Sequence, residues 1–591
     1  MKAEARDLTF LSAEGIVRIP FFQREYVWDE ENWSELLANL GTEGRSHFLG
    51  SLILKQQVPQ SGAPREVLVI DGQQRLTTLS VLLKALYDSL EDAARKNTLV
   101  AIRAVLFFKM IFDIDFQVKL QHSHVDRPDF ELVIRAGIDV PPLDDTAQGG
   151  RVLDCYRFFA SELKKPEWPQ ARRDALFAHL LDQQNKMLVV IDLAASDDEQ
   201  AIFDTINSAG VRLSSADIIK NSLYQRAISD MGQEAAIALY NATWKEAFLA
   251  DQEAVTFWSA DRVTGRLTRD NIEILLHAIA VIDGFYDPEK NIMSELSSRY
   301  KAKVRSLEGA AAVKSFAKEV QSYADVYQEH FGSLVKAHFR FDDPVARLMQ
   351  ILDAFQVSTL HPFLLHVLRQ PEAIRRELLD KTERFIVRRV IANGEMRGLN
   401  KLAKDLVSKP ELLDSWSLET TDDDVREGLR SISNKVAAVV LFWVELRRRW
   451  LDPKHDVKQL TWAYTLEHVM PQKWQQHWGE IPARKRPDGT DMTVEELRQA
   501  RGQRVYWIGN MTLLTQNMNS SLRNVGFERK VLGEGRKKGI REFSKLAVTS
   551  AIIDAYETDK TWDEAKIEAR TKQLESEVLA LWPAASPASA S

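Results

Sequence analysis

Apolar and polar positions follow different patterns in three successive parts of the chain. In the first part, up to about residue 235, short apolar runs alternate with stretches that have apolar residues at helical spacing. Short runs bounded by turn residues predict buried strands, and the 3.6-residue spacing predicts amphipathic helices. The predicted elements are strands over residues 16–20, 48–54 and 65–70, and helices over residues 30–40 and 76–90. The pattern indicates an α/β domain over residues 1–235.

Residues 236–455 keep an apolar stripe with charged positions opposite to it, for example over residues 275–282, 313–327, 344–355 and 436–450. This pattern is typical of amphipathic helices. The region is therefore predicted to be a helical connector or scaffold. The alternative is a surface that contacts DNA, because basic residues cluster at Arg384, Arg388, Arg389, Arg397 and Lys401, and again at Arg447–Arg449.

Residues 456–582 contain two apolar stretches that predict a pair of strands. The first runs over 464–467 and ends at Pro471, since proline cannot donate to a sheet ladder. The second is predicted over 506–510 and continues through 511–515, and a helix with a polar N-cap is predicted over 519–530.

A strand, a loop, a strand and a helix in this order would bring Glu467, His468 and Asn519 together. A histidine general base beside a divalent cation with oxygen ligands is suited to phosphodiester hydrolysis. Residues 583–591, rich in Ala, Ser and Pro, are predicted to be a disordered tail. The predicted fold class is α+β and mostly helical.

Length and composition limit the class of protein. The 591 residues suffice for roughly four domain-sized units, at about 150 residues each. The sequence has no apolar run of about 18 residues, which a membrane span needs. Its N-terminus lacks the apolar core of a signal peptide. One cysteine excludes an internal disulfide framework, so a cytoplasmic location is expected.

The net charge of −7 does not indicate a nucleic-acid binder, but basic residues are dense near the C-terminus. Seven Lys and Arg stand against two Glu over residues 529–545. Such a cluster could neutralise phosphates. The candidate DNA contacts are Lys530, Arg536, Lys537 and Lys538. The alternative is a solvated helix face.

A strand that runs directly into Asp71, Gly72 and a helix start is a candidate phosphate site. Backbone N–H groups at a helix N-terminus point towards an anion, and Arg75 can bind two of its oxygens. Gln73 and Gln74 offer amides to a ribose, a base or a water. Asp71 is suited to holding Mg²⁺ or orienting a water, and Arg24 lies on another loop that can close over the site. The alternative is a β-turn with a salt bridge.

A second polar block, over residues 203–221, contributes further candidates. A helix is expected to end near Gly210, and another to begin with Ser214 or Ser215 as its cap. Asn207, Ser208 and Lys220 are predicted to contribute to the nucleotide pocket or its switch. The alternative is a set of caps on an ordinary amphipathic helix.

The motifs over residues 19–28, 48–52 and 69–77 occur in this order, and with 203–221 they resemble the GmrS-type domain. The core of that domain is similar to ParB and sulfiredoxin. The resemblance implies a nucleotide-binding, NTP-hydrolysing module, with ATP or GTP as ligand. The implied site comprises Arg24, Asp71, Gly72, Gln73, Gln74 and Arg75.

The segment from Glu467 to Gln472, with 509–514 and 519–530, resembles the HNH (His-Me finger) motif. More closely, it resembles the nuclease domain of GmrSD-type, type IV restriction enzymes. The resemblance implies a ββα-metal fold in which Glu467 and Asn519 hold Mg²⁺ or Mn²⁺. It further implies that His468 activates water and that Asn510 orients it. The wider motif often has Asp where this chain has Glu467.

Both resemblances together imply an NTP-regulated, Mg²⁺-dependent endonuclease in antiphage defence. Its expected substrate is double-stranded phage DNA with modified bases, such as hydroxymethylated or glucosylated cytosine. Cutting of both strands would suit a homodimer. The alternatives are a nucleotide-dependent DNA sensor with a silent nuclease domain, and a nuclease toxin acting on RNA or host DNA.

Overall fold

The computed structural model describes residues 2–41, 48–57, 64–110, 113–122, 126–144, 146–194, 214–264, 267–331, 338–394, 398–517, 525–534, 537–543 and 545–585. Within the first part of the chain lies a mixed six-stranded sheet. The chain divides into two compact units, Met1–Tyr240 and Asn241–Ser591. The second unit contains both the predicted helical scaffold and the predicted nuclease region.

The first unit is built on this sheet. Its strands are β1 (Lys2–Arg6), β2 (Ile16–Arg18), β3 (Ser51–Gln56), β4 (Glu66–Asp71), β5 (Phe107–Phe108), β6 (Gln117–Val118), β7 (Leu120–Gln121) and β8 (Leu188–Leu193). The sheet order is β1-β8-β3-β4-β2-β7, and β5 pairs with β6 separately. Because β3 and β4 are antiparallel neighbours, the end of β4 at Asp71 lies opposite Ile53 of β3.

Helices cover the rest of the first unit. They are α1 (Glu30–Leu40), α2 (Gln73–Asp88), α3 (Asp92–Leu106), α4 (Arg127–Arg135), α5 (Arg151–Glu162), α6 (Gln170–Leu180), α7 (Ser215–Met231) and α8 (Gln233–Tyr240). Helix α2 is buried on almost every side and contacts α3, α4, α5 and α6. It is the central helix of the unit, and it begins directly after β4.

The second unit is mostly helical. Its helices are α9 (Glu246–Phe248), α10 (Gln252–Trp258), α11 (Asn271–Ile282), α12 (Leu296–Arg305), α13 (Gly309–His330), α14 (Pro344–Phe355), α15 (His361–Leu368), α16 (Glu372–Ile391), α17 (Leu399–Ser408), α18 (Leu412–Ser417), α19 (Asp422–Leu429), α20 (Asn434–Leu451), α21 (Val494–Arg504), α22 (Phe527–Leu532), α23 (Ile540–Phe543), α24 (Ala547–Asp559) and α25 (Glu564–Leu581). A π-helical turn over Asn241–Lys245 precedes α9. The α+β, mostly helical fold class is thereby confirmed.

Pairs of short antiparallel strands interrupt these helices. The strands are β9 (Asp261–Thr264), β10 (Leu267–Asp270), β11 (His338–Arg340), β12 (Gln459–Thr461), β13 (Tyr464–His468), β14 (Met511–Thr515), β15 (Gly533–Glu534) and β16 (Lys537–Lys538). Helix α20 is buried from Ala437 to Leu446 and contacts β13, β14, α24 and α25. The β13–β14 hairpin is therefore attached to a helix whose central part is buried.

Two predicted elements near this hairpin differ from the structure. Residues 506–510 were expected to form a strand, but Ile508–Asn510 is a 3-10 turn and the strand begins at Met511. Of the helix predicted over 519–530, the structure describes Phe527–Leu532, which follows an extended Gly526, while residues 518–524 lie outside the described residues. The 3-10 turn arises because Asn510 hydrogen-bonds to the neighbouring loops through its side chain.

Within the described residues, none of the helices is both long and apolar enough to cross a membrane.

Helix α25 packs directly against the start of β14. A methyl group at Gly509 would overlap the carbonyl oxygen of Ile567 and the hydroxyl group of Thr571, both on α25. At the far end of α25, the indole of Trp582 is buried and donates to Glu383 Oε1 of α16 at 2.7 Å. The helix therefore connects the hairpin to the helical part of the unit.

We predict that Gly509→Ala destabilises the second unit, because the added methyl group forces α25 away from the hairpin. Overpacking of this kind typically costs about 1–3 kcal/mol. Urea unfolding followed by tryptophan fluorescence measures the change. The control is Gly502→Ala in α21, where an added methyl group meets no atom within 4 Å. That variant is expected to be as stable as the parent or slightly more stable, and equal midpoints for both variants would contradict the prediction.

Candidate functional site

The β13–β14 hairpin places Glu467 and His468 side by side. The strands are antiparallel, with Glu467 opposite Thr512 and His468 opposite Met511. Both predicted site residues are largely buried, with 8% and 9% of their surfaces exposed. They therefore lie at the buried end of β13, where this strand pairs with β14.

The imidazole of His468 has an unused nitrogen. Its Nε2 atom is buried, and no group in the described part of the chain forms a hydrogen bond with it. Burial lowers the pKa of His468 to about 4, and the nearby Lys530 charge acts in the same direction. The ring is consequently neutral near pH 7 and able to accept a proton. The half-exposed Tyr506 ring lies edge-on to it, with 6.2 Å between the ring centroids.

Glu467 forms a buried ion pair with Lys530 of α22. The Lys530 ammonium is fully buried and also donates to the carbonyl oxygen of His468 at 2.6 Å. Burial raises the pKa of Glu467, and burial lowers the pKa of Lys530, while each partner opposes the shift of the other. Lys530 thus fixes the end of β13 to α22.

Asn510 uses its entire amide within the protein. Its Oδ1 accepts hydrogen bonds from the Met470 N–H at 2.8 Å and from Trp562 Nε1 at 3.1 Å. Its Nδ2 donates to the carbonyl oxygens of Met470 at 2.8 Å and Val505 at 3.0 Å. An amide offers two acceptor and two donor positions, and all four are occupied. The contacts therefore give Asn510 a positioning role, and its predicted part in catalysis stays a prediction.

The described residues alone do not form a magnesium site. Mg²⁺ takes oxygen ligands in near-octahedral geometry. Among residues that the structure describes, no group of three or more His, Cys, Asp or Glu could hold a metal ion. The Glu467 carboxylate already binds Lys530, and Asn519, the other predicted ligand, lies outside the described residues. Magnesium at this hairpin stays a prediction.

The structure corrects the assignment of Lys530 to a DNA-binding surface, because the side chain is fully buried. Arg536 lies outside the described residues, and Lys537 and Lys538 form β16, with side chains that are not described. These three stay predictions. In the helical region, Arg388, Arg389 and Arg448 form ion pairs with Asp422, Glu419 and Glu577. Their ion pairs favour the scaffold interpretation over DNA contact.

The strand–turn–helix site of the first unit forms as predicted around Gly72. Gly72 has a φ angle of 91°, which favours glycine, and it forms the N-cap of α2. Arg75 donates to the carbonyl oxygen of Ser51 and lies 4.0 Å from Asp71. Burial raises the pKa of Asp71, although Arg75 and the Gly72 N–H oppose the shift.

The two glutamines after Gly72 differ in their contacts. Gln74 Oε1 accepts from the N–H groups of Val27 and Trp28 at 2.9 and 3.3 Å, and its Nε2 donates to Glu25 O at 3.0 Å. Gln74 thus holds the loop that carries Arg24, and its contact with a nucleotide stays a prediction. Gln73 donates to Arg24 O at 2.6 Å, and its buried Oε1 has no hydrogen-bond partner among the described residues.

Charged groups from three segments converge near this turn. The Arg24 charge opposes the rise that burial causes in the pKa of Asp71, and it adds to the lowering of the pKa of Asp217. Burial alone would raise the pKa of Asp217, but its ion pair with Lys220 at 2.8 Å makes the net shift downward. Ser214 caps α7 as expected. The structure therefore brings Lys220 to the site, while Asn207 and Ser208 lie outside the described residues.

Sequence patterns gave no indication of Arg570, which supports the hairpin from α25. Its buried guanidinium donates to the carbonyl oxygens of Gly509 at 2.6 Å, Met511 at 2.7 Å and Val548 at 2.7 Å. Burial lowers the pKa of Arg570 to about 9. An arginine within a helix rich in charged residues is not distinguishable from a surface arginine by its pattern alone.

Two protein-family models match the chain. The GmrSD restriction endonuclease N-terminal domain matches residues 8–224, and the GmrSD restriction endonucleases C-terminal domain matches residues 419–576. The first match contains the turn at Gly72, and the second contains the β13–β14 hairpin. A search of curated proteins found no match to the chain.

We predict that Lys530→Met destabilises the second unit by about 3–5 kcal/mol, because it leaves a buried carboxylate without its cation. Urea unfolding measures the loss. Arg529→Met on the same helix is the control, since Arg529 is half-exposed in its ion pair with Glu534. Loss of an exposed pair is expected to cost less than about 1 kcal/mol.

The same variant distinguishes a structural role from a DNA contact. The dependence of DNA affinity on salt is expected to be the same for Lys530→Met and for the parent protein. A decrease of about 0.9 in the slope, the value for one phosphate contact, would show that Lys530 does bind DNA.

Proposed function

The chain belongs to the GmrSD restriction endonuclease family, and from this premise we propose that it is an NTP-regulated, Mg²⁺-dependent endonuclease that cleaves modified phage DNA. The family makes DNA the substrate. The modified base, the nucleotide and the metal are parts of the proposal. Hydroxymethylated or glucosylated cytosine is the expected modification.

The observation that supports hydrolysis most strongly is the unused Nε2 of His468 at the end of β13. In the proposed reaction this nitrogen takes a proton from the attacking water as the water oxygen bonds to phosphorus, while the bond from phosphorus to the 3′ oxygen breaks and that oxygen leaves and takes a proton from solvent. The neutral imidazole needed for this step is the form that burial favours. Asn510 and Lys530 act through His468, because Lys530 holds its carbonyl oxygen and Asn510 holds the backbone of Met470 just after it.

Glu467 and Asn519 are the proposed ligands of Mg²⁺, which would stabilise charge on the phosphate in the transition state. Glu467 would then exchange its contact with Lys530, wholly or in part, for the metal.

The site at Gly72 supports nucleotide binding by the first unit. Arg24 and Arg75 supply positive charge beside a helix N-terminus, which is suited to the phosphates. Gln73 supplies a carbonyl oxygen without a partner in the described residues. Asp71 is the proposed group that orients water or holds Mg²⁺ during NTP hydrolysis. The bound nucleotide would shift the enzyme between states that restrain or permit cleavage.

We predict that His468→Ala lowers the rate of DNA cleavage about 10²–10⁴-fold, the range that general-base catalysis contributes. The assay uses purified protein with Mg²⁺ or Mn²⁺ and an NTP, on plain, hydroxymethylated and glucosylated DNA. His477→Ala is the matched control, because His477 is exposed. Unfolding midpoints and DNA affinity show whether both variants stay folded.

Three results would change the proposal. Equal cleavage by His468→Ala and His477→Ala would exclude His468 as the base. Cleavage of all DNA alike would remove the dependence on modification. Cleavage that survives EDTA would exclude the metal.

For the nucleotide site, we predict that Asp71→Asn and Arg24→Met each reduce NTP hydrolysis at least 10-fold. Asp71→Asn removes the negative charge of the carboxylate, and Arg24→Met removes a cation near the predicted phosphates. Arg127→Met is the control, since Arg127 is half-exposed and pairs with Glu131 in its own helix. The same variants should also lose the effect of NTP on DNA cleavage. Normal NTP hydrolysis and normal nuclease control in both would refute the switch.

A further inference from the structure

A half-exposed tyrosine beside His468 has no part in the reaction proposed above. Tyr506 has 46% of its surface exposed, and its ring lies edge-on to the His468 imidazole, with 6.2 Å between the centroids. A single exposed aromatic side chain is ordinary on a protein surface. The contact with the proposed general base is what distinguishes Tyr506 from other exposed aromatic residues.

Several other described neighbours of His468 are fully buried. Met511 lies opposite His468 in the hairpin, Lys530 binds the His468 carbonyl oxygen, and Val469 is the next residue in the chain. None of these three has exposed surface. Tyr506 differs from them because nearly half of it reaches solvent. Since DNA arrives from solvent, Tyr506 marks the side of His468 from which the substrate approaches.

The backbone that carries Tyr506 is held on both sides. The Val505 carbonyl oxygen accepts from Asn510 Nδ2 at 3.0 Å, and the Trp507 carbonyl oxygen accepts from the Asn510 N–H at 2.9 Å. The Tyr506 N–H itself donates to the Gln503 carbonyl oxygen at 3.1 Å. A tyrosine side chain has two χ angles, so contact with a ligand costs little conformational entropy. Tyr506 is therefore a well-placed contact residue on a fixed backbone.

The distances around His468 bring the substrate within reach of this ring. A water that gives its proton to Nε2 lies about 3 Å from that nitrogen, and the attacked phosphorus lies about 3–3.5 Å beyond the water. The phosphate therefore docks within about 7 Å of Nε2, a distance similar to that between the two rings. Nε2 is buried in the free protein, so a side chain has to move before water reaches it. Tyr506 can turn into solvent without opening the core.

The chemistry of the ring selects one part of the nucleotide. The face of an aromatic ring is negative and does not attract a phosphate, and the bases of a duplex are enclosed in the stack. The deoxyribose carries C–H groups and is bonded directly to the phosphate. We propose that Tyr506 binds the deoxyribose next to the scissile phosphate through its ring and so positions the phosphate in front of His468. This inference deepens the proposed function and rests on it for the DNA substrate and for the base.

The test measures the protection of individual sugars in DNA bound to the full-length protein. Cleavage by the parent protein with Mg²⁺ first locates the scissile phosphate. Hydroxyl radicals from radiolysis, which attack exposed deoxyribose, are then applied to the metal-free complex at saturating protein. Tyr506→Ala removes the ring, whereas Tyr506→Phe keeps the ring and removes its hydroxyl group. Trp450→Ala is the control, because Trp450 is 39% exposed and lies near the end of α20.

The parent, Tyr506→Phe and Trp450→Ala are expected to protect a deoxyribose next to the scissile phosphate. Tyr506→Ala is expected to lose this protection, to keep the rest of the footprint, and to bind the DNA about 4–12-fold more weakly, the scale for burying half of an aromatic side chain. Equal protection by Tyr506→Ala and the parent, or its loss in Tyr506→Phe as well, would overturn the sugar contact.

Failure of this inference is distinguishable from failure of the proposed function. An overturned sugar contact leaves DNA cleavage by the parent, and its loss in His468→Ala, unaffected. A parent protein that cleaves no DNA would refute the proposed function and this inference together.

Discussion

The geometry of the nuclease hairpin depends on the side-chain amide of Asn510, which has all of its hydrogen-bonding positions occupied. Its four hydrogen bonds connect the turn after β13, the loop before β14 and the indole of Trp562. From α25, Arg570 binds the carbonyl oxygens on both sides of Asn510. Because these groups are buried, losing any one of them leaves an unpaired polar atom. His468 is consequently held in a fixed place although its Nε2 has no partner among the described residues.

In the first unit, too, one residue positions the backbone while its neighbour keeps a polar atom available. Gln74 holds the loop that carries Arg24 through three hydrogen bonds to its backbone. Its neighbour Gln73 keeps a buried oxygen that no described residue uses. In both sites, some motif residues position the backbone while others keep groups available for a ligand. Hydrogen-bond occupancy separates these two roles, which a motif does not distinguish.

The sequence predicted most elements of this fold, because strands such as β4 and helices such as α20 have clear apolar periodicity. It also predicted the turns that carry both candidate sites, since local glycine, capping and proline signals define these turns. It failed where distant side chains determine the outcome. The 3-10 turn at Asn510 depends on Trp562, and the burial of Lys530 depends on Glu467, 63 residues away. Neither partner is indicated by local spacing.

A double-mutant cycle on His468 and Asn510 tests the central claim most directly, namely that the hairpin framework acts by positioning a histidine base. Single-turnover cleavage is measured for His468→Ala, Asn510→Asp and the double variant. Asn510→Asp removes both Nδ2 donors and is expected to slow the parent enzyme at least 10-fold. In the His468→Ala background it should have almost no further effect, because the group it positions is absent. An equal reduction in both backgrounds would show that Asn510 acts independently of His468 and would contradict the account.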